Sequence, residues 1–321
     1  MVWLLAVAAL ALGIVVPEGV AALLRRLGLV DVPNERSSHK TATLRGGGLA
    51  PLAVIAVVWL GVWPPLGAGW MVVAGVVLFG LLGLAEDLRG LTVWARIGGQ
   101  LAVGVGVGAA LVWVTGVDWW QLLLLAPAAV FLINAANFMD GVNGISSFQA
   151  IVTGGCGLAV GLIAGRPELA VLGAVAIGAF AGFLPWNFPK AKMFLGDVGS
   201  YVVGALMWGI AWWAFIATGS LLVGAASTAV YAVDVVTTLV RRARRGENLT
   251  LAHREHAYQL LAARSSHAVA TCVATLAGAV NCAAAIWAWR AGIQWLGWAV
   301  VVAVCAVYEL VCLGRPRKVE T

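Results

Sequence analysis

Residues 119–160 read WWQLLLLAPAAVFLINAANFMDGVNGISSFQAIVTGGCGLAV. Two almost wholly apolar runs flank one polar insert, NAANFMDGVNG at 134–144, with three asparagines, an aspartate and two glycines. The flanks decide the fold. Each is continuous rather than alternating, and roughly 20 mostly apolar residues let a helix cross the ~30 Å hydrocarbon layer. A helix satisfies its own backbone hydrogen bonds there, whereas a barrel strand would show alternation. The insert poses the functional question of what its amides and carboxylate hold between two membrane segments.

The rest of the chain repeats this pattern. It is 62% hydrophobic and 11% charged, with a mean hydropathy of +0.96. A soluble domain carries about 25% charged residues, so this chain lacks the polar residues to cover a surface in water. The sequence predicts an all-α polytopic membrane protein, a single transmembrane catalytic domain over 1–321. The expected spans are 2–24, 46–63, 68–84, 97–116, 119–133, 145–164, 168–185, 198–216, 219–239, 267–289 and 293–313. That gives eleven helices, within a range of ten to twelve because 119–133 is short and several connections have only a few residues. The 40 glycines suit close helix packing.

Orientation follows from the basic residues. Six segments fall on one side: 25–45, 85–96, 134–144, 186–197, 240–266 and 314–321. They contain every Lys and Arg of the chain except Arg166 and Arg290. Such an excess marks the cytoplasmic side, so the N-terminus is expected outside and the C-terminus in the cytoplasm. The net charge of +6 is then topological, and no nucleic-acid partner is expected. The first span lacks a basic leader and is followed by Arg25 and Arg26, so it reads as an anchor rather than a cleaved signal. The five cysteines (Cys156, Cys272, Cys282, Cys305 and Cys312) fall within expected spans, as reduced thiols would.

The chemistry gathers on that same side. Asp87 ends the third span, Asp140 precedes the turn-forming Gly-Val-Asn-Gly, and Asp197 lies between glycines before another span. Each has a plain structural alternative: an anchor paired with Arg89, a loop-stabilising side chain, or a helix cap. Together they put three carboxylates at three helix mouths. Mg²⁺ binds through one or two carboxylates plus substrate phosphates, and Lys40, Arg45, Arg89 and Arg96 are at hand to neutralise phosphate charge. His253 and His256 share a helix face at i, i+3 spacing, with Arg254 between them as a phosphate or carbonyl contact. Their order, HREH, is not the HExxH of zinc proteases. Arg241–Arg245 also suits attraction to anionic lipid. Asp234 sits near the cytoplasmic end of a span with no partner evident. One-sided chemistry argues against a transporter, which would carry polar groups at the midplane.

These segments resemble a known family. HKTATLRGGG at 39–48 is similar to the HKxPTPRGGG segment of the polyprenyl-phosphate N-acetylhexosamine-1-phosphate transferases. These form glycosyltransferase family 4, which shares a superfamily with phospho-N-acetylmuramoyl-pentapeptide transferase. GLAEDLRGLT resembles the family's GLxDDxxGLS, NAANFMDGVNG its NAxNxxDGxDG, and FLGDVGS its FxGDxGS. RRGENLTLAHREHAYQ resembles the histidine loop of the branch that starts O-antigen and related surface glycans.

The resemblance implies transfer of a sugar-1-phosphate from a UDP-N-acetylhexosamine to undecaprenyl phosphate at the cytoplasmic face of a bacterial plasma membrane, with release of UMP. It assigns Asp197 as the ligand of Mg²⁺, for which Mn²⁺ can substitute, and gives catalytic positions to Asp87, Asp140 and Glu86. It places Lys40, Arg45, Asn137, Asn143, His253, Arg254 and His256 in substrate binding, and it allows a homodimer within the lipid bilayer. The chain also departs from the pattern: Glu86 and Asn143 stand where the family has Asp, and Thr43-Leu44 where it often has Thr-Pro. Those departures leave a second reading, a family member that has lost catalysis. A lipid- or ion-coupled transporter is the third.

Overall fold

The computed structural model describes residues 1–31, 42–62, 67–251 and 253–314. Lys40 lies outside the described residues. In chain order the elements are α1 (Val2–Leu27), β1 (Val30–Asp31), β2 (Thr43–Arg45), α2 (Leu49–Trp59), α3 (Ala68–Arg89), α4 (Val93–Thr115) and α5 (Leu122–Phe138). They continue with α6 (Ile145–Ile163), α7 (Pro167–Asn187), β3 (Met193–Phe194), α8 (Gly196–Thr218) and α9 (Leu221–Ala226). The chain ends with α10 (Ala229–Arg244), α11 (Ala257–Arg264), α12 (His267–Arg290) and α13 (Gln294–Leu313). A 3-10 turn, Trp119–Gln121, leads into α5. Among the described residues, nine helices are long and apolar enough to cross a membrane.

The expected all-α membrane fold is what forms, and α7 and α8 are its most buried spans. α8 packs against α3, α5 and α6, while α7 packs between α1 and α6. Small residues let the backbones approach. A Cβ on Gly182 of α7 would stand 2.4 Å from the carbonyl carbon of Gly13 in α1, a contact only glycine permits. Lipid gives helices no hydrophobic reason to associate, so this close packing supplies the attraction.

Two expected spans differ. The stretch 46–63 yields only α2, an 11-residue helix of about 16 Å, roughly half the hydrocarbon thickness. Its N-terminal glycines are drawn instead into a small sheet. The stretch 219–239 is broken into α9 and α10 at Ser227 and Thr228. The carbonyl freed at Ser227 accepts from Gln149 Nε2 of α6 at 2.6 Å, so this backbone group is met inside protein. α10 then carries Asp234, two threonines and three arginines; Asp234, Thr238 and Arg242 are buried, while Val236 and Val240 are exposed.

Helix ends also shift. α3 continues to Arg89 and α5 to Phe138, so Glu86, Asp87, Asn134 and Asn137 belong to last helical turns and not to loops. The sheet was not foreseen at all. β1 pairs antiparallel with β2, and β2 parallel with β3, opposing Arg45 to Phe194. It closes one end of the bundle and fixes where Arg45 stands.

Candidate active site

β2 delivers Arg45 to the start of α8. Beyond the paired residues the ladder is extended by two backbone bonds, Gly47 N–H to Phe194 O at 2.8 Å and Gly48 N–H to Leu195 O at 2.9 Å. A Cβ on Gly48 would stand 2.1 Å from the Gly199 Cα, so this strand can lie on α8 only with glycine there. Arg45 then reaches two carboxylates: its Nε donates to Asp87 Oδ1 at 2.8 Å and its NH2 to Asp197 Oδ2 at 2.7 Å. Asp87 comes from the last turn of α3 and also accepts the N–H groups of Asp197 and Val198, at 3.0 and 2.9 Å. It therefore caps α8, where unpaired N–H groups and the helix dipole favour an anion. From α5, Asn137 Nδ2 donates to the other oxygen of Asp197 at 2.5 Å and to Ser200 Oγ at 3.1 Å.

A cavity of about 710 Å³ opens beside this cluster. Of the residues assigned from sequence, Arg45, Asn137, Asp140, Asn143, Asp197 and Arg254 line it. Asp87 does not: its side chain is wholly covered, while those of Arg45 and Asp197 are 45% and 14% exposed. Burial pushes the Asp140 carboxyl up to about 8, and the nearby negative charge of Asp197 and Asp87 acts in the same direction. At neutral pH Asp140 is therefore mostly a protonated acid, able to donate a hydrogen bond.

The three asparagines of the 134–144 insert have three different tasks. Asn134 donates to Gln100 Oε1 of α4 at 2.6 Å, inside the bundle. Asn137 orients Asp197. Asn143 donates through Nδ2 to the Pro189 carbonyl at 2.9 Å, and its own carbonyl accepts from Thr271. That first bond explains the departure at this position, because an ionised Asp has no proton to offer the Pro189 carbonyl. Asn187 completes the join between the two loops, accepting from Gly144 N–H and Ser147 Oγ and donating to Met193 O.

The remaining assigned residues are placed elsewhere. Glu86 turns away from the cavity and accepts Leu91 N–H at 2.8 Å, with Arg96 3.6 Å away. Its carboxylate thus holds the α3–α4 turn. His256 is buried and donates Nδ1–H to Asp234 at 3.0 Å, the proton lying on Nδ1 because a carboxylate only accepts. His253 stacks on it at 4.9 Å between ring centroids. Burial, helped by the neighbouring His256 and Arg242, lowers the His253 pKa to about 4, so this ring is neutral at pH 7. Neither histidine lines the cavity; Arg254 between them does. Arg242 and Arg245 pair with Glu247, Arg245 also pairs with Glu255, and Arg241 lies 3.6 Å from Glu309. The basic run is thus largely spent on internal contacts.

Sequence reasoning left Asp234 without a partner, and the structure supplies several. Wholly buried, Asp234 accepts from His256 Nδ1, from Ala257 N–H and Tyr258 N–H at 3.0 Å each, and from Tyr308 Oη at 2.7 Å. It holds the start of α11, whose Gln259, Leu260, Ala262 and Ala263 form one wall of the cavity. Sequence alone could not pair them, because the partners of Asp234 lie at the start of α11 and in α13.

Fold and site together define a polytopic membrane protein with an acidic, arginine-bridged cavity at one end of its bundle. The family described as glycosyl transferase family 4 has a model that matches residues 69–215, and the chain belongs to that family. It is similar to the decaprenyl-phosphate N-acetylglucosaminephosphotransferase of Mycobacterium tuberculosis, 36% identical over 216 residues, 58% of this chain and 53% of that protein. The Mycolicibacterium smegmatis protein of the same name is 32% identical over 267 residues, 70% of this chain and 66% of its own. The phospho-N-acetylmuramoyl-pentapeptide-transferase of Lacticaseibacillus paracasei is 29% identical over 194 residues, 52% of this chain and 60% of that enzyme. The chain thus spans between about half and two thirds of the length of these relatives.

Proposed function

We propose that this chain transfers N-acetylhexosamine-1-phosphate from a UDP-N-acetylhexosamine to a polyprenyl phosphate such as undecaprenyl phosphate, at the cytoplasmic face of a bacterial plasma membrane. An oxygen of the lipid phosphate forms a bond to the β-phosphorus of the nucleotide sugar. The bond from that phosphorus to the bridging oxygen breaks, and UMP leaves with the electron pair. The observation that carries the reading is the Arg45 guanidinium spanning Asp87 and Asp197 at the edge of the cavity. A cation already stands between two carboxylates where a diphosphate and its metal would have to be accommodated.

The donor set fits Mg²⁺, with Mn²⁺ as a substitute, on stated terms. Among the described residues no group of three or more His, Cys, Asp or Glu stands ready to hold a metal. The ion must therefore take most of its ligands from substrate phosphates and water, as Mg²⁺ commonly does. Asp197 would hold it, being the cluster's carboxylate that faces the cavity, with Asn137 fixing its orientation. When bound, the ion would neutralise charge on the diphosphate as UMP departs.

The chain's own groups do the rest. Arg45 can exchange a carboxylate for a phosphate oxygen, bidentate recognition for which guanidinium is suited. Asp140, largely protonated at pH 7, can donate to a substrate oxygen without repelling an anion. A phosphate monoester has its second pKa near ~6, so the lipid nucleophile arrives largely ionised and needs positioning more than deprotonation. Purified full-length protein with polyprenyl phosphate, Mg²⁺ and a panel of UDP-N-acetylhexosamines should release UMP. Absence of UMP with every donor, while nucleotide sugar still binds, would replace this reading with that of an inactive family member.

A further inference from the structure

The residues taken from sequence leave one wall of the cavity, α11, without an assigned polar contact other than Arg254 before it. Gln259 fills that gap. It is the third residue of α11 and lines the cavity. Its Oε1 accepts His256 N–H at 3.3 Å, a side chain reaching back to the residue that precedes α11. That bond fixes the amide orientation, since a backbone N–H can meet only the oxygen end. Nε2 is thereby turned the other way, over Gly141 of the opposite loop, where a Cβ would stand 3.0 Å from it. The same missing Cβ admits Tyr258 Oη, which would lie 2.3 Å from it and which donates to Phe138 O at 2.8 Å.

No described group accepts from Nε2. An amide with one end tied and the other unpaired inside a cavity is a preoriented donor, and it loses little side-chain freedom when a ligand accepts from it. The frame behind it is rigid: Asp234 binds the first two N–H groups of α11 and the His256 ring, and Tyr308 closes the other side.

We propose that Gln259 is a contact residue for the nucleotide sugar, presenting Nε2 to an acceptor oxygen of that ligand, and that Asp234 is the positioning residue that holds the frame in place. The inference rests on the function proposed above and adds to it the donor-side wall of the site.

Gln259→Glu separates this role from a merely structural one. Glu at the third helical position can accept the same backbone N–H, so that bond survives. The donor is lost and a negative charge now faces an anionic ligand. UDP-N-acetylglucosamine is titrated calorimetrically, with Mg²⁺, into full-length wild type, Q259E and Q259M in detergent, and the thermal unfolding of each is recorded. Affinity should fall roughly 10-fold or more in Q259E with Tm unchanged or higher, and fall less in Q259M, which removes the donor without adding charge. Wild-type affinity in both variants overturns the proposal, and so does a wild type that does not bind the probe. Failure of the proposed function reads differently, as absence of UMP release with this binding pattern intact.

Discussion

Asp87 and Asp234 use one device in two places. Each comes from a neighbouring helix and accepts two successive N–H groups at the start of another, Asp197 and Val198 for α8, Ala257 and Tyr258 for α11. Each side chain is fully covered. What differs is the company. Beside Asp87 stand a half-exposed Arg45 and a second carboxylate that reaches the cavity. Beside Asp234 stand a buried histidine, a buried tyrosine and a threonine, and the network ends inside protein. Anchoring an amide pair is therefore structural in itself. Access through Arg45 and Asp197 is what connects one of these two anchors to the cavity.

Substitutions can break this comparison. Asp197→Asn should have the largest effect, lowering UMP release on the order of 1,000-fold, the scale set by removing one preorganised charge-stabilising group, with thermal unfolding close to wild type. Near-normal turnover would take Asp197 out of the proposed metal site. Asp87→Asn should lower both quantities, turnover by roughly 100-fold and stability by about 3 kcal/mol, because it unsettles α8 and strands Arg45. Asp234→Asn should cost a similar ~3 kcal/mol in chemical denaturation and raise KM for the nucleotide sugar, with kcat at saturating donor reduced less than about 10-fold. A collapse of kcat equal to that in Asp87→Asn would erase the distinction between the two anchors.

A pH series sharpens it further. The Asp140 carboxyl titrates near ~3.9 when unfolded and is pushed up to about 8 when folded. The folded chain therefore binds this proton more tightly. The resulting stability is fully present below pH ~4 and is lost as pH rises through about 8. Tm should decline across that window in wild type and decline less in Asp140→Asn. Equal slopes would show that Asp140 ionises normally. The smallest effect belongs to Asn143→Asp, which restores the residue of the family pattern yet should destabilise by about 1–2 kcal/mol, because Pro189 O loses its donor. An unchanged unfolding curve would mean that the bond to Pro189 carries no weight.

The legible part of the fold was its solvent and most of its helices. Eleven spans were expected, and among the described residues nine long apolar helices stand at nine of those places. At the other two the helix is short or broken, for reasons hydropathy does not carry. At 46–63 the first glycines serve a strand contact with α8, and at 219–239 the helix is broken where Gln149 donates to the freed carbonyl. Within the site, the motifs pointed to Arg45, Asn137, Asp140, Asn143, Asp197 and Arg254, which the structure brings to one cavity. Glu86, His253 and His256 looked equivalent to them in sequence and lie outside its lining. Asp234 stood out in sequence only as an unpartnered charge, and Gln259 only as the last residue of the HREHAYQ segment.

By itself the sequence determined that this chain lives in a bilayer and which short segments carry its polar groups. Hydropathy is a sum over adjacent residues, and motif spacing is local by definition. Only the tertiary structure decided which carboxylate faces the cavity, which is sealed as a helix anchor, and why residue 143 is an amide. Those answers depend on partners far apart in the chain. Arg45 meets Asp197 across 152 positions and Asp87 meets the N–H of Asp197 across 110. A buried carboxylate is stable only with donors around it, and those donors are chosen by how the helices pack.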